Sequence, residues 1–152
     1  MRYLALIFTF FFCCSYAQIL DAIQINEIGQ HEFDVLDDLM VSKHKFTRVK
    51  DIEDENQKVY TNDSDHLEQL MVVTVFRNSN GCSNVLSIVD KSAINVLQLK
   101  NDLPQEGYVY QGKKKMSEDL IVSQFSKGKL HVLISDTITA SGAYQILLIC
   151  SN

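Results

Sequence analysis

His66 is the side chain of this chain best suited by type to acid–base chemistry. It follows Asp65 and lies close to Asp63 and Glu68, and an imidazole beside a carboxylate moves protons at neutral pH when both face a substrate. A small hydrolase or ligand carrier with its site around His66 and Asp65 is therefore one reading. A solvated histidine in a polar loop explains the same residues more simply. His31, His44 and His131 complete the set. None has the i, i+4 histidine partner of a zinc-binding helix, and there is no His-Glu-x-x-His. Asn62-Asp63-Ser64-Asp65 clusters oxygens of the kind calcium takes. It lacks the glycine and distal glutamate of an EF-hand loop, and turn chemistry of Asx residues accounts for it as well. Asn62-Asp63-Ser64 also spells a glycosylation acceptor, relevant in a eukaryotic secretory route. Ser141-Gly142 lacks the flanking pattern of a nucleophile elbow, and no glycine-rich phosphate loop is present. No catalytic residue, metal or cofactor is expected, and the chain is read as a non-enzyme.

The cysteines are read through the N-terminus. Arg2, an apolar run over residues 4–14 and Ser15-Tyr16-Ala17 make the layout of a secretory signal peptide cleaved after Ala17. The run is too short for a membrane span, which needs about 20 residues, and no later segment replaces it. Export to the periplasm or the outside is the expectation. Cleavage removes Cys13 and Cys14 and leaves Cys82 and Cys150. In an oxidising compartment these two are expected to bridge. The competing reading is two small buried apolar residues, which suits the run Ile146-Leu147-Leu148-Ile149 before Cys150.

What remains, residues 18–152, suits a single domain. Loss of Arg2 takes the net charge from −5 to −6. That disfavours duplex nucleic acid as a partner, because phosphate neutralisation needs a basic face. The charge is uneven. Residues 18–68 hold 13 acids against Lys43, Lys45, Arg48, Lys50 and Lys58, whereas residues 69–152 hold six acids against eight bases. Such asymmetry orients a charged partner, although an acidic run such as Asp51-Ile52-Glu53-Asp54-Glu55 is also what a solvated loop looks like.

The elements that must position any site form a weak internal repeat, with halves at about 30–90 and 91–152. In the first, Phe33, Leu36, Leu39 and Met40 make one stripe of an amphipathic helix over residues 32–44, acidic at its start and basic at its end. Strands are expected at 45–50, 57–62, 69–77 and 83–90, with Asn78-Ser79-Asn80-Gly81 as a hairpin turn. In the second, residues 91–103 suit a helix with Ala93/Ile94, Leu97 and Asp102/Leu103 on one side, ended by Pro104. Strands follow at 107–111, 119–125, 130–135 and 144–150, and Lys113-Lys114-Lys115 reads as a basic loop. The expected fold is α+β: two tandem helix-plus-four-strand units forming an antiparallel sheet, helices on one face and the other at least partly open.

This order of elements resembles, in outline, the helix-on-sheet repeats of secreted β-lactamase inhibitor proteins and related bacterial envelope domains. The resemblance spans most of residues 18–152 and no motif carries it. The chain departs from it in having at most one disulfide and no tryptophan. Export, small size, the acid-rich front half and the absence of catalytic motifs point instead to a non-catalytic module that binds another protein, as an inhibitor, an immunity-type neutraliser or an envelope accessory protein. The surface expected to bind is the exposed sheet face or the acidic helix.

Overall fold

A computed structural model describes residues 19–78 and 82–151. The expected leader at 1–17 and residues 79–81 of the expected turn lie outside the described residues. The chain forms one antiparallel sheet of eight strands in the order β1-β2-β3-β4-β8-β7-β6-β5, with the helices packed against one face. The strands are β1 (Thr47–Arg48), β2 (Gln57–Thr61), β3 (Met71–Arg77), β4 (Asn84–Asp90), β5 (Val109–Lys115), β6 (Ile121–Lys127), β7 (Leu130–Ser135) and β8 (Tyr144–Cys150). The class is the α+β arrangement expected from sequence. Each half contributes four consecutive strands, and the halves join where β4 pairs with β8, Leu86 opposite Leu148 and Ser87 opposite Leu147.

Alternation explains the layers. Along β3 and β4, Met71, Val73, Val75, Leu86 and Ile88 are buried, while the residues between them are half-buried or exposed. With Ile146 and Leu148 of β8 and Val132 and Ile134 of β7, they form the inner face on which the helices rest.

A helix unexpected from the sequence comes first: α1 (Ala22–Gln30). Asp21 and Gln24 form a reciprocal capping box, the Asp21 carboxylate accepting from Gln24 N at 2.8 Å and Gln24 Oε1 accepting from Asp21 N at 3.0 Å. Ile25 and Ile28 go into the core. Gly29 lies so close to Leu148 and Leu86 that a Cβ there would collide with the Leu148 side chain. At the far end the buried Asn84 amide donates to the carbonyls of Ile28 and His31, both at 2.7 Å.

The stripe Phe33, Leu36, Leu39, Met40 is buried as expected, but residues 32–44 are not a regular helix. A 3-10 turn (Phe33–Val35) passes into a π-helical stretch (Asp38–Lys43), closed by His44 N donating to Leu39 O at 2.9 Å. The wider turn seats the sequence neighbours Leu39 and Met40 side by side against the sheet.

Three further expectations are corrected. Helix α2 (Ala93–Gln105) does not end at Pro104; the proline sits in its last turn, where the helix stops one residue later. Its buried face is Asn95, Val96, Leu99 and Leu103, whereas Ile94 and Leu97 are 77% and 61% exposed. Finally, Lys113-Lys114-Lys115 is not a loop but the end of β5, an edge strand. A bulge between Tyr110 and Gly112, with Gly112 at φ 102°, interrupts that strand.

Candidate functional site

The face of the sheet opposite α1 and α2 is formed by the outward residues of the strands. Strand pairing places its residues in rows. One row runs Val59, Thr74, Ser87, Leu147, Leu133, Gln124, Gly112 from β2 to β5. The flanking rows bring Val72 and Val89 to one side, and Phe76, Val85, His131 and Ile149 to the other. From β2 to β6 no outward position in these rows is Asp, Glu, Lys or Arg. An antiparallel sheet with one wet face ordinarily alternates apolar-in with polar-out. Here the outward positions of β3, β4 and β8 are mostly Val, Ile, Leu and Phe, with Phe76 37% exposed. The other outward residues of these three strands are half-buried, and an uncharged, mainly apolar strand surface is the kind that marks an interaction site. Val59, Val122 and Leu133 on this side are buried although they stand apart from the main core.

Charge surrounds this face rather than crossing it. At the β1–β2 edge the connections carry exposed Asp51, Asp54, Glu55, Asp63, Asp65 and Glu68. At the β5–β6 edge stand exposed Lys113, Lys114, Lys115, Lys127 and Lys129, with Glu118 and Asp119 at the hairpin tip. The uneven charge of the sequence thus becomes a polarity across the width of the sheet.

The sequence-predicted residues do not converge on one site. His66 precedes a short 3-10 turn (Leu67–Gln69) in the β2–β3 connection and is exposed. Its backbone is held by Ser64, whose hydroxyl accepts from His66 N and donates to His66 O, both at 3.2 Å. Asp65 beside it is exposed. Asn62 serves the local fold instead: its amide donates to Gln69 O at 2.7 Å and accepts from Met71 N at 2.9 Å. Among the described residues no group of three or more His, Cys, Asp or Glu is placed to hold a metal ion. Cys82 and Cys150 are joined in a disulfide, their Cα atoms 6.0 Å apart. The bridge ties the start of β4 to the end of β8, so it staples the two halves. His131, expected on a sheet face, lies on the open one, where its Nδ1 is buried with no partner among the described residues.

Three polar clusters that spacing did not reveal prove to be structural. In the first, Arg48 donates to Glu53 at 2.8–2.9 Å and to Asp37. Tyr60 donates to Asp37 at 2.7 Å, and Glu53 accepts from Val59 N at 2.7 Å. Burial, reinforced by the bond to Asp37, pushes the Tyr60 phenol far above its ordinary range. In the second, Asp136 accepts from Lys100 at 2.8 Å, Lys113 at 2.8 Å and Ser123 at 2.6 Å. Burial raises its carboxyl, but those three donors outweigh burial and hold it well below the usual carboxylate range. In the third, Lys43 reaches Glu27 at 2.5 Å and pulls that carboxyl down, while Gln24 and the His44 Nδ1 are 3.2 Å apart. Each cluster clamps a helix or edge strand, and Lys100 and Asp136 of the second also line a pocket with Ala93, Val96, Leu97 and Tyr144. Among the described residues no helix is long and apolar enough to cross a membrane. Comparison with family models, with curated proteins and with solved structures finds no match to this chain.

Proposed function

We propose that this chain is an exported, non-catalytic module that docks a protein partner through the open face of its sheet. One observation carries the reading: a face without Asp, Glu, Lys or Arg, apolar mainly on β3, β4 and β8, runs from β2 to β6 opposite α1 and α2. Apolar area removed from water drives association, and charges at the rim select and orient the partner. Export is supported by the leader over residues 1–17 and by the bridge between Cys82 and Cys150. Roles as an inhibitor, a toxin neutraliser or an envelope accessory all need such a face. The alternative, a hydrolase or ligand carrier at His66, gains no support from its surroundings, since the imidazole stands in solvent away from the clusters above.

The test is affinity capture with the protein as bait from envelope and culture-medium extracts, in parallel with Leu147→Glu. Leu147 is half-buried on the open face, at the centre of the sheet. A protein captured stoichiometrically by the wild type and lost by the variant, with thermal stability matched, is the expected result. Equal capture by both, or turnover that His66→Ala abolishes, overturns the reading.

A further inference from the structure

We infer that the partner of the open face is a second copy of this chain, related by a twofold axis parallel to the strands between β4 and β8. The inference rests on the reading of that face as a docking surface and adds who occupies it. A closed dimer of this kind buries the same patch on both subunits, so the patch must complement itself under the axis.

Two independent features meet that condition. The first is size. An axis parallel to the strands lays β8 of one copy over β4 of the other and β7 over β3. In the central row this sets Leu147 over Ser87 and Leu133 over Thr74. In this central row large residues lie on one side of the axis and small ones on the other, so the centres of the two faces interdigitate, while the flanking row sets Val85 over Ile149 and Phe76 over His131.

The second is charge. The axis exchanges the two edges of the sheet but keeps its two ends. At the end marked by Asp90 lie the β2–β3 connection and the last residues of β5, because Thr61 pairs with Val72, Val72 with Val89, and Lys114 with Val122. Asp63, Asp65 and Glu68 of one copy therefore come to the side of Lys114 and Lys115 of the other. At the end marked by the disulfide, Asp51, Asp54 and Glu55 come to the side of Lys127 and Lys129. Acid meets base at the disulfide end, with Lys50 as the exception; at the Asp90 end Glu118 and Asp119 offset Lys114 and Lys115, and Lys45 stands beside the acids, so the field is stronger at the disulfide end. A twofold axis perpendicular to the strands would instead stack acid on acid and lysine on lysine. Packed sheets are rotated by about 30°, so these charges act as an orienting field more than as fixed pairs. The uncharged interior leaves no ion to be buried unpaired.

Sedimentation equilibrium and zero-length carbodiimide cross-linking of the whole protein test this. The wild type should sediment as a dimer, and Leu147→Glu as a monomer with an unchanged circular dichroism spectrum. Lys114→Glu/Lys115→Glu, which spares the contact between Lys113 and Asp136, should weaken the dimer about tenfold. Mixing it with Asp63→Lys/Asp65→Lys should restore association as a heterodimer. Cross-links should join Lys114 or Lys115 to Asp63, Asp65 or Glu68 across copies. A wild type that stays monomeric at its highest soluble concentration overturns the inference. So does a dimer that survives Leu147→Glu, or cross-links that pair the acidic corner with a different surface. If the protein is monomeric yet captures another protein in a Leu147-dependent way, self-association fails while the docking face stands.

Discussion

The two halves follow one plan, a helical segment and four antiparallel strands, yet they finish their outer edges in opposite ways. The first half ends in β1, two residues long, sealed by Arg48, Asp37, Glu53 and Tyr60. The second ends in β5, seven residues long and exposed along nearly its whole length, guarded by three lysines and a bulge at Gly112. Both solve the problem of an unpaired strand edge. One does so by shortening and covering the strand, the other by making it charged and irregular. The difference leaves the sheet acidic on one side and basic on the other around an uncharged middle. A pseudo-symmetric scaffold thereby acquires a direction, which an orienting partner can read.

The comparison can be broken from either edge or from the staple between them. Arg48→Ala strips the counter-charge from Glu53, whose side chain is 8% exposed, and from Asp37. Leaving buried charge unpaired costs about 3–5 kcal/mol, so urea titration should show the largest loss there. Replacing Cys82 and Cys150 with Ser removes a bridge across a sequence separation of 68 residues. On the chain-entropy model that lowers stability by about 4 kcal/mol, and dithiothreitol should lower the Tm of the wild type but not of the variant.

Smaller effects sharpen the reading of the second half. Leu99→Ala should cost about 2–4 kcal/mol by cavity formation, whereas Leu97→Ala, two residues earlier, should stay within about 0.5 kcal/mol. Similar losses at both positions would mean that the exposed side of α2 is covered. At the basic edge, Asp136→Asn should cost about 1–2 kcal/mol at neutral pH, discounted because Lys113 is largely exposed. The native carboxyl is held below its unfolded value. Its contribution is therefore complete above about pH 4, the unfolded range, and fades as pH falls toward the depressed native value. Stability curves of wild type and variant should converge in acid; a constant gap from neutral pH down to acid would show that the ion pairs contribute nothing.

Most strands were legible because a β-rich run adjoins a turn signal, as in Val72 to Phe76 before Asn78, whereas the lysine end of β5 reads as a loop and β1 is two residues where the sequence suggests six. Helix α1 is marked only by the short Asp21-x-x-Gln24 box and by Ile25 and Ile28, a signal too brief beside the apolar run at 4–14 to set it apart. The face of α2 was not legible. Ile94 and Leu97 fit a helical stripe as well as Val96, Leu99 and Leu103 do, and spacing cannot choose between two apolar stripes without knowing where the sheet lies. Of the candidate residues, Cys82 and Cys150 were visible as a pair. The open face was expected only as an exposed sheet surface, because Val72-Val73-Thr74-Val75-Phe76 is apolar on both sides and hides which side is out.

By itself the sequence determined what depends on neighbours along the chain: most strand positions, the turn signals, the uneven charge and the candidate pair Cys82 and Cys150. Tertiary structure decided what depends on residues far apart. The pairing of β4 with β8 sets the strand order, and that order sends the acidic connections and the lysine-rich strand to opposite edges. It also lines Leu147 and Leu133 up with Ser87 and Thr74 in one row. Periodicity reports which residues share a side of their own strand; only pairing between distant strands decides whose side becomes a surface.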